Sequence, residues 1–188
     1  MPVRRLVLAT LAALPLVAAE PPSPELLSSQ ARVLCGNLML SLQGELFAAM
    51  KDGGPVKALD VCRTRAPQIA AGASAGTPWK IGRTSVKARN AANAPDAWEA
   101  AKLEEFRKRL AAGEEMAALE AWEVVETEGR RTFRYAKAIG TTSPCLGCHG
   151  ADLKPEVAAK LQELYPDDQA VGFAAGQLRG AFTLSRPL

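Results

Sequence analysis

Residues 122–139, WEVVETEGRRTFRYAKAI, decide the fold class. Residues 122–127 and 132–139 are rich in β-branched and aromatic side chains, and Glu128-Gly129-Arg130 joins them with turn chemistry, so the stretch predicts a β-hairpin. Alternation puts Tyr135 and Lys137 on one face. Two more strands are expected, one over 79–86 with Trp79, Ile81, Thr84 and Val86 facing inward, the other over 180–184. Helices surround them. Asp96 caps a predicted helix over 97–112 with Glu99 at the capping-box position, and Trp98, Phe106 and Leu110 form its apolar stripe. Residues 26–51 read as a long helix, with Leu38, Leu42 and Leu46 at four-residue spacing. Gly53-Gly54-Pro55 ends it and starts another that runs to about Ala71, with Pro67 a kink or an end. Residues 72–78 form a turn, 87–95 are irregular and 155–164 form a short helix. This order predicts an α+β domain, a small antiparallel sheet flanked by helices with a long N-terminal helix.

The 188 residues suit one domain, and 48% apolar with 23% charged residues is a globular composition. Residues 1–19 have the layout of an export signal. Arg4 and Arg5 open it, residues 6–17 are apolar but too short for a bilayer span, and Val17-Ala18-Ala19 offers small residues for cleavage. The expected organisation is a signal peptide over 1–19, a linker over 20–25 and one domain over 26–188. Removing Arg4 and Arg5 from the 23 basic residues leaves 21 against 20 acidic ones, a net charge near +1. With no basic block, nucleic acid is not an expected partner. With no second stretch of spanning length, no membrane span is expected after cleavage. Export places the chain in the periplasm, an oxidising setting for its four cysteines, Cys35, Cys62, Cys145 and Cys148.

Cys145-Leu146-Gly147-Cys148-His149 is the strongest chemical signal. Two thiols three positions apart can each add to one vinyl group of a haem, and the adjacent imidazole then reaches the iron. Export fits this reading, because such attachment happens outside the cytoplasm. The rivals are a zinc site completed by Cys35 and Cys62, a thioredoxin-like pair whose βαβ setting is absent, and a Cys145–Cys148 disulfide that leaves His149 without a role. His149 is the only histidine in the chain, so ligation by two histidines of one chain is impossible. Spacing leaves the other axial position open to Met39, Met50, Met116, a cysteine, a lysine, water or nothing. It also leaves Cys35 and Cys62 open to a disulfide.

Longer patterns narrow this. Val61-Cys62-Arg63, the run GRTSVKARNAANAPDAWE over 82–99, the motif at 145–149 and Arg179-Gly180-Ala181-Phe182 occur in that order. Together they resemble the single-haem c-type family with a PAS-like fold, catalogued as a domain of unknown function. The likeness spans about residues 26–188. It implies a small antiparallel sheet flanked by helices, as in PAS sensor domains. It implies one covalent haem c with His149 and Cys62 as axial ligands, and a pocket formed by the stretch from Arg83 to Asn93. The cofactor-binding set is then Cys145, Cys148, His149, Cys62, Arg83, Arg89, Asn90 and Asn93. The last four are candidate donors to the haem propionates, which want cationic or amide partners. Cys35 matches nothing in the family pattern and reads as a buried thiol.

The resemblance implies a redox or gas sensor module whose partners are a small diatomic ligand or a redox protein. The alternative is a small periplasmic electron-transfer cytochrome c. An enzyme such as a peroxidase is not expected, because two side-chain ligands would close the iron and no distal histidine is left for acid–base work. A thiolate favours ferric iron, which predicts a lower potential than a His/Met cytochrome has and a looser Cys62 on reduction.

Overall fold

The structure is a computed structural model and describes residues 22–188. The signal-like segment 1–19 and the first two linker residues lie outside the described residues. Four strands, β1 (Lys80–Thr84), β2 (Glu120–Thr127), β3 (Arg130–Gly140) and β4 (Leu178–Pro187), form one antiparallel sheet in the order β1-β4-β3-β2. The predicted hairpin is β2–β3. Its register closes at Thr127 opposite Arg130. That leaves a two-residue loop, Glu128-Gly129, with both residues at positive φ, the turn whose twist matches paired strands.

Alternation along the strands gives the sheet two buried faces. Ile81, Phe133, Tyr135, Phe182 and Leu184 pack against Leu27, Ala31, Cys35 and Leu38 of α1 (Pro24–Ser74). Ala136, Ala138 and Ala181 point the other way and receive Leu103 and Phe106 of α2 (Ala97–Ala111). The capping box at Asp96 and Glu99 forms as the sequence predicts. The fold is therefore α+β with a long N-terminal helix and a small four-stranded antiparallel sheet.

Three local expectations change. Pro24 and Glu25 of the predicted linker belong to α1, because Ser23 caps it and proline is tolerated in a first turn. The helix runs through Pro67 to Ser74, whereas Gly53 and Gly54 do break its geometry, with Gly54 at φ +70. Val86 is exposed and lies beyond β1, because Ser85 N turns away to donate to Asn93 O. By length and composition α1 could also cross a membrane, although Leu27, Ala31, Cys35 and Leu38 of the same helix pack on the sheet.

Two short helices complete the chain, α3 (Leu146–His149) and α4 (Pro155–Leu164). Val157 and Leu161 of α4 close on Leu59 in the second half of α1. Lys160 pairs with Asp60, and Arg63 donates to Leu164 O, so α4 is fixed along that half. Gly180 lets β4 approach the end of β1. A Cβ there would lie 2.3 Å from Thr84 O, so no larger residue fits without moving backbone.

Candidate functional site

The chain leaves β3 through Thr141 and passes a 3₁₀ turn (Ser143–Cys145) into the single turn of α3, which carries Cys148 and His149 and has Cys145 as its N-cap residue. Cys145 and Cys148 are both free and half-buried, and Cys148 leans on the cluster around Leu59. His149 is held from three directions. Its carbonyl accepts from Phe173 N at 2.9 Å, the neighbouring Gly150 carbonyl accepts from Gly172 N at 3.0 Å, and the Phe173 ring stands edge-on to the imidazole. Its Nδ1 lies 2.7 Å from Ala170 O. A carbonyl only accepts, so Nδ1 carries the proton and Nε2 keeps its lone pair, the tautomer a metal-binding histidine needs. Burial, with Arg89 and Arg179 adding, pushes the imidazole pKa down to about 3, so it stays neutral.

Cys62 reaches this site from the second half of α1. Burial raises its thiol pKa, and Arg83 and then Arg89 oppose that rise. The charges of Arg83 and Arg89 also act on His149. Cys62 and His149 thus share the same two guanidinium neighbours, and the Cys62 thiol in turn acts on Cys148 and Tyr165.

The two arginines do different work. Arg89 donates from Nε to Asp168 Oδ2 at 2.9 Å, and from Nη2 to Cys148 O and to Ala170 O. It ties the Cys148–His149 turn to the very loop whose carbonyl orients the imidazole. Arg83 sits on β1 opposite Phe182, on the α1 face of the sheet. Burial lowers its pKa, and the groups acting on its charge are Cys62 and Tyr165, with no carboxylate among them.

Residues 6–187 match the family model described as Tll0287-like. The chain belongs to the Tll0287-like family. The crystal structure of the cyanobacterial heme-protein Tll0287 matches with a TM-score of 0.64 at 24% identity, over 88% of this chain and 97% of that one, a likeness of fold. No curated protein matches.

In this Tll0287-like chain Arg89 bonds to the Cys148 and Ala170 carbonyls, the latter also holding His149, and the charges of Arg83 and Arg89 act on Cys62. Asn90 and Asn93 stand apart from that group as builders of the loop. The Asn90 side chain accepts from Ala92 N to cap a short 3₁₀ turn, and the Asn93 carbonyl accepts from Ser85 N and Thr84 Oγ1. Cys35 lies in the core between α1 and the sheet, where burial pushes its thiol up to about 12. Cys35 and Cys62 are both free, so they form no disulfide. Among the described residues no group of three or more His, Cys, Asp and Glu is placed to hold a metal ion, and Cys35 of the four-cysteine zinc reading lies in the α1-side core. Met39 and Met50 are exposed on the first half of α1, and Met116 packs under α2. Trp79 packs in the α1-side core and Trp98 in the α2-side core.

Sequence reasoning missed Arg179. Its Nη1 donates to Ser85 Oγ at 2.9 Å and Lys87 O at 3.1 Å, while its buried Nε has no partner. Burial, with Arg89 and Arg83 repelling, pushes its pKa down to about 10. The Thr141 hydroxyl is also buried without a partner. The one signal for Arg179 is its place in the RGAF stretch. The site thus gathers three guanidiniums against the Asp168 carboxylate, an excess of positive charge suited to an anionic group.

Proposed function

We propose that this chain is an exported c-type haem protein with a PAS-like fold, carrying one haem through Cys145 and Cys148 with His149 and Cys62 as axial ligands. In this reading it is a periplasmic redox or gas sensor module. The carrying observation is that two free thiols, Cys145 and Cys148, stand on the same turn as an imidazole whose Nδ1 is held by Ala170 O, which leaves the Nε2 lone pair for a metal. The solved relative being a heme-protein supports the cofactor class.

The residues fit the group. Two free thiols stand beside a neutral imidazole, and, among the described residues, Arg83, which has no carboxylate acting on it, and Arg179, which forms no salt bridge, suit two propionates. When bound, haem supplies one-electron chemistry and a coordination position for a diatomic ligand. The protein supplies the rest. The Ala170 carbonyl orients His149, Arg89 holds that carbonyl in place, and Arg83 with Arg89 opposes the rise that burial gives the Cys62 thiol. No second histidine stands ready to move protons, which fits sensing better than catalysis.

The test is electronic and EPR spectroscopy of purified holoprotein in both redox states, with and without CO, on the wild type and on Cys62→Ser. Thiolate ligation should be present in the oxidised wild type and lost in the variant, and CO should bind after reduction. Identical spectra for the two proteins would sink the Cys62 assignment. Two ligands retained on reduction, with no CO binding, would favour an electron carrier.

A further inference from the structure

The first half of α1 presents an apolar stripe that no described residue covers. Leu26, Val33, Leu40 and Phe47 recur every seven residues and are 52%, 61%, 69% and 55% exposed. They lie away from Leu27, Ala31, Cys35 and Leu38, which face the sheet. A repeat of seven is the period of a seam between two helices, since it keeps one edge of each turned toward the other. The companion row of the same repeat holds Ser29, Gly36, Gln43 and Met50, three of them small or polar.

The glycines need a reason. A glycine inside a helix is destabilising relative to alanine. A Cβ at Gly36 or Gly44 would meet nothing within 4 Å, so the packing of this chain requires neither. Close approach of another helix would require them. We propose that two copies of this chain pair antiparallel along the first halves of α1, crossing near Leu38. In that arrangement Leu40 of each copy faces Gly36 of the other, Phe47 faces Ser29, Val33 faces Gln43 and Leu26 faces Met50. A large side chain meets a small one at two of these four levels, Leu40 on Gly36 and Phe47 on Ser29. A parallel pair would instead set Gly36 on Gly36 and Ser29 on Ser29, leaving gaps. Charge agrees, because the antiparallel pair brings Glu25 level with Lys51 of the other copy, and a parallel pair sets like charges level. A lipid surface fits less well, since such helices carry rows of Lys and Arg beside a broad apolar face. Here Asn37, Gln43 and Gly44 flank the stripe.

Sedimentation velocity and light scattering of the purified chain, at about 1 to 100 µM, test the pairing. The mass should rise to that of a dimer. Leu40→Glu and, separately, Gly36→Leu should each weaken it at least about tenfold with unchanged circular dichroism, since both positions are exposed. Spin labels give the direction. Labels at Asn37→Cys should approach closely across the dimer, while labels at Leu26→Cys should be separated by about 36 Å along the axis. A monomer throughout, a Leu40→Glu dimer as tight as the wild type, or close approach at both labels would overturn the proposal. So would a monomer that sediments with anionic vesicles, which would assign the stripe to lipid. None of these readings depends on the cofactor.

Discussion

Asp168 uses both carboxylate oxygens inside the protein, one on Arg89 Nε and one on Ala170 N. The two side chains are only 11% and 8% exposed, so this is a buried pair. Removing one partner strands the other charge. Asp168→Ala should therefore cost about 3–5 kcal/mol, read as a lower urea midpoint. Arg130→Ala breaks the exposed pair with Glu128 and should change stability by less than about 0.5 kcal/mol. Arg89 was legible in the sequence as a basic residue of an irregular stretch, suited to a carboxylate. Its actual partner stands 79 positions further on, and no local pattern carries that information. Arg179 was illegible for the same reason: the hydroxyl that holds it belongs to Ser85, 94 positions away.

Between elements, the clearest tie joins α1 to the β2–β3 pair. Arg32 donates from Nε and Nη2 to the Glu120 carboxylate, and Tyr135 donates its hydroxyl to the same group at 2.7 Å. The Arg32 hydrogen bond is the largest cause holding the Glu120 carboxyl down at about 2, against an ordinary 4.5. The folded-state pKa is depressed, so the stabilisation is complete above the unfolded value and is lost as pH falls from there through about 2. Glu120→Gln should flatten that part of the profile. Urea unfolding at about pH 5 and about pH 3 checks it: the wild type should lose more stability between the two than the variant does. Most elements were readable because their signals are short-range. The Asp96 capping box, the Glu128-Gly129 turn and the Gly53-Gly54 break each rest on residues within one turn of one another. The start of α1 is hidden in the sequence because Pro24 and Glu25 have linker composition, and the exposure of Val86 is hidden because strand alternation does not register where the chain bends away.

Across the whole molecule, the sheet separates two jobs. One face closes with α2 around Phe106, far in the packing from the thiols, while α4 and the second half of α1 meet around Leu59, against which Cys148 packs. Phe106→Ala should cost about 3–5 kcal/mol and Leu59→Ala about 2–5 kcal/mol, both read by urea unfolding. Only Leu59→Ala should also shift the visible spectrum of the holoprotein; an equal shift in Phe106→Ala would refute this division. The amino-acid sequence by itself determined the α+β class, the hairpin, the helix caps and the thiol–thiol–imidazole cluster at 145–149, because each depends on periodicity or on atoms a few residues apart. The family-like stretches already named Cys62, Arg83 and Arg89; only the tertiary structure decided that Cys35 lies in the core between α1 and the sheet and that Asp168, the Ala170 carbonyl and Arg179 join the surroundings of His149. Those neighbours come from α1, β1, the loop after it, the loop after α4 and β4, and packing alone brings them together.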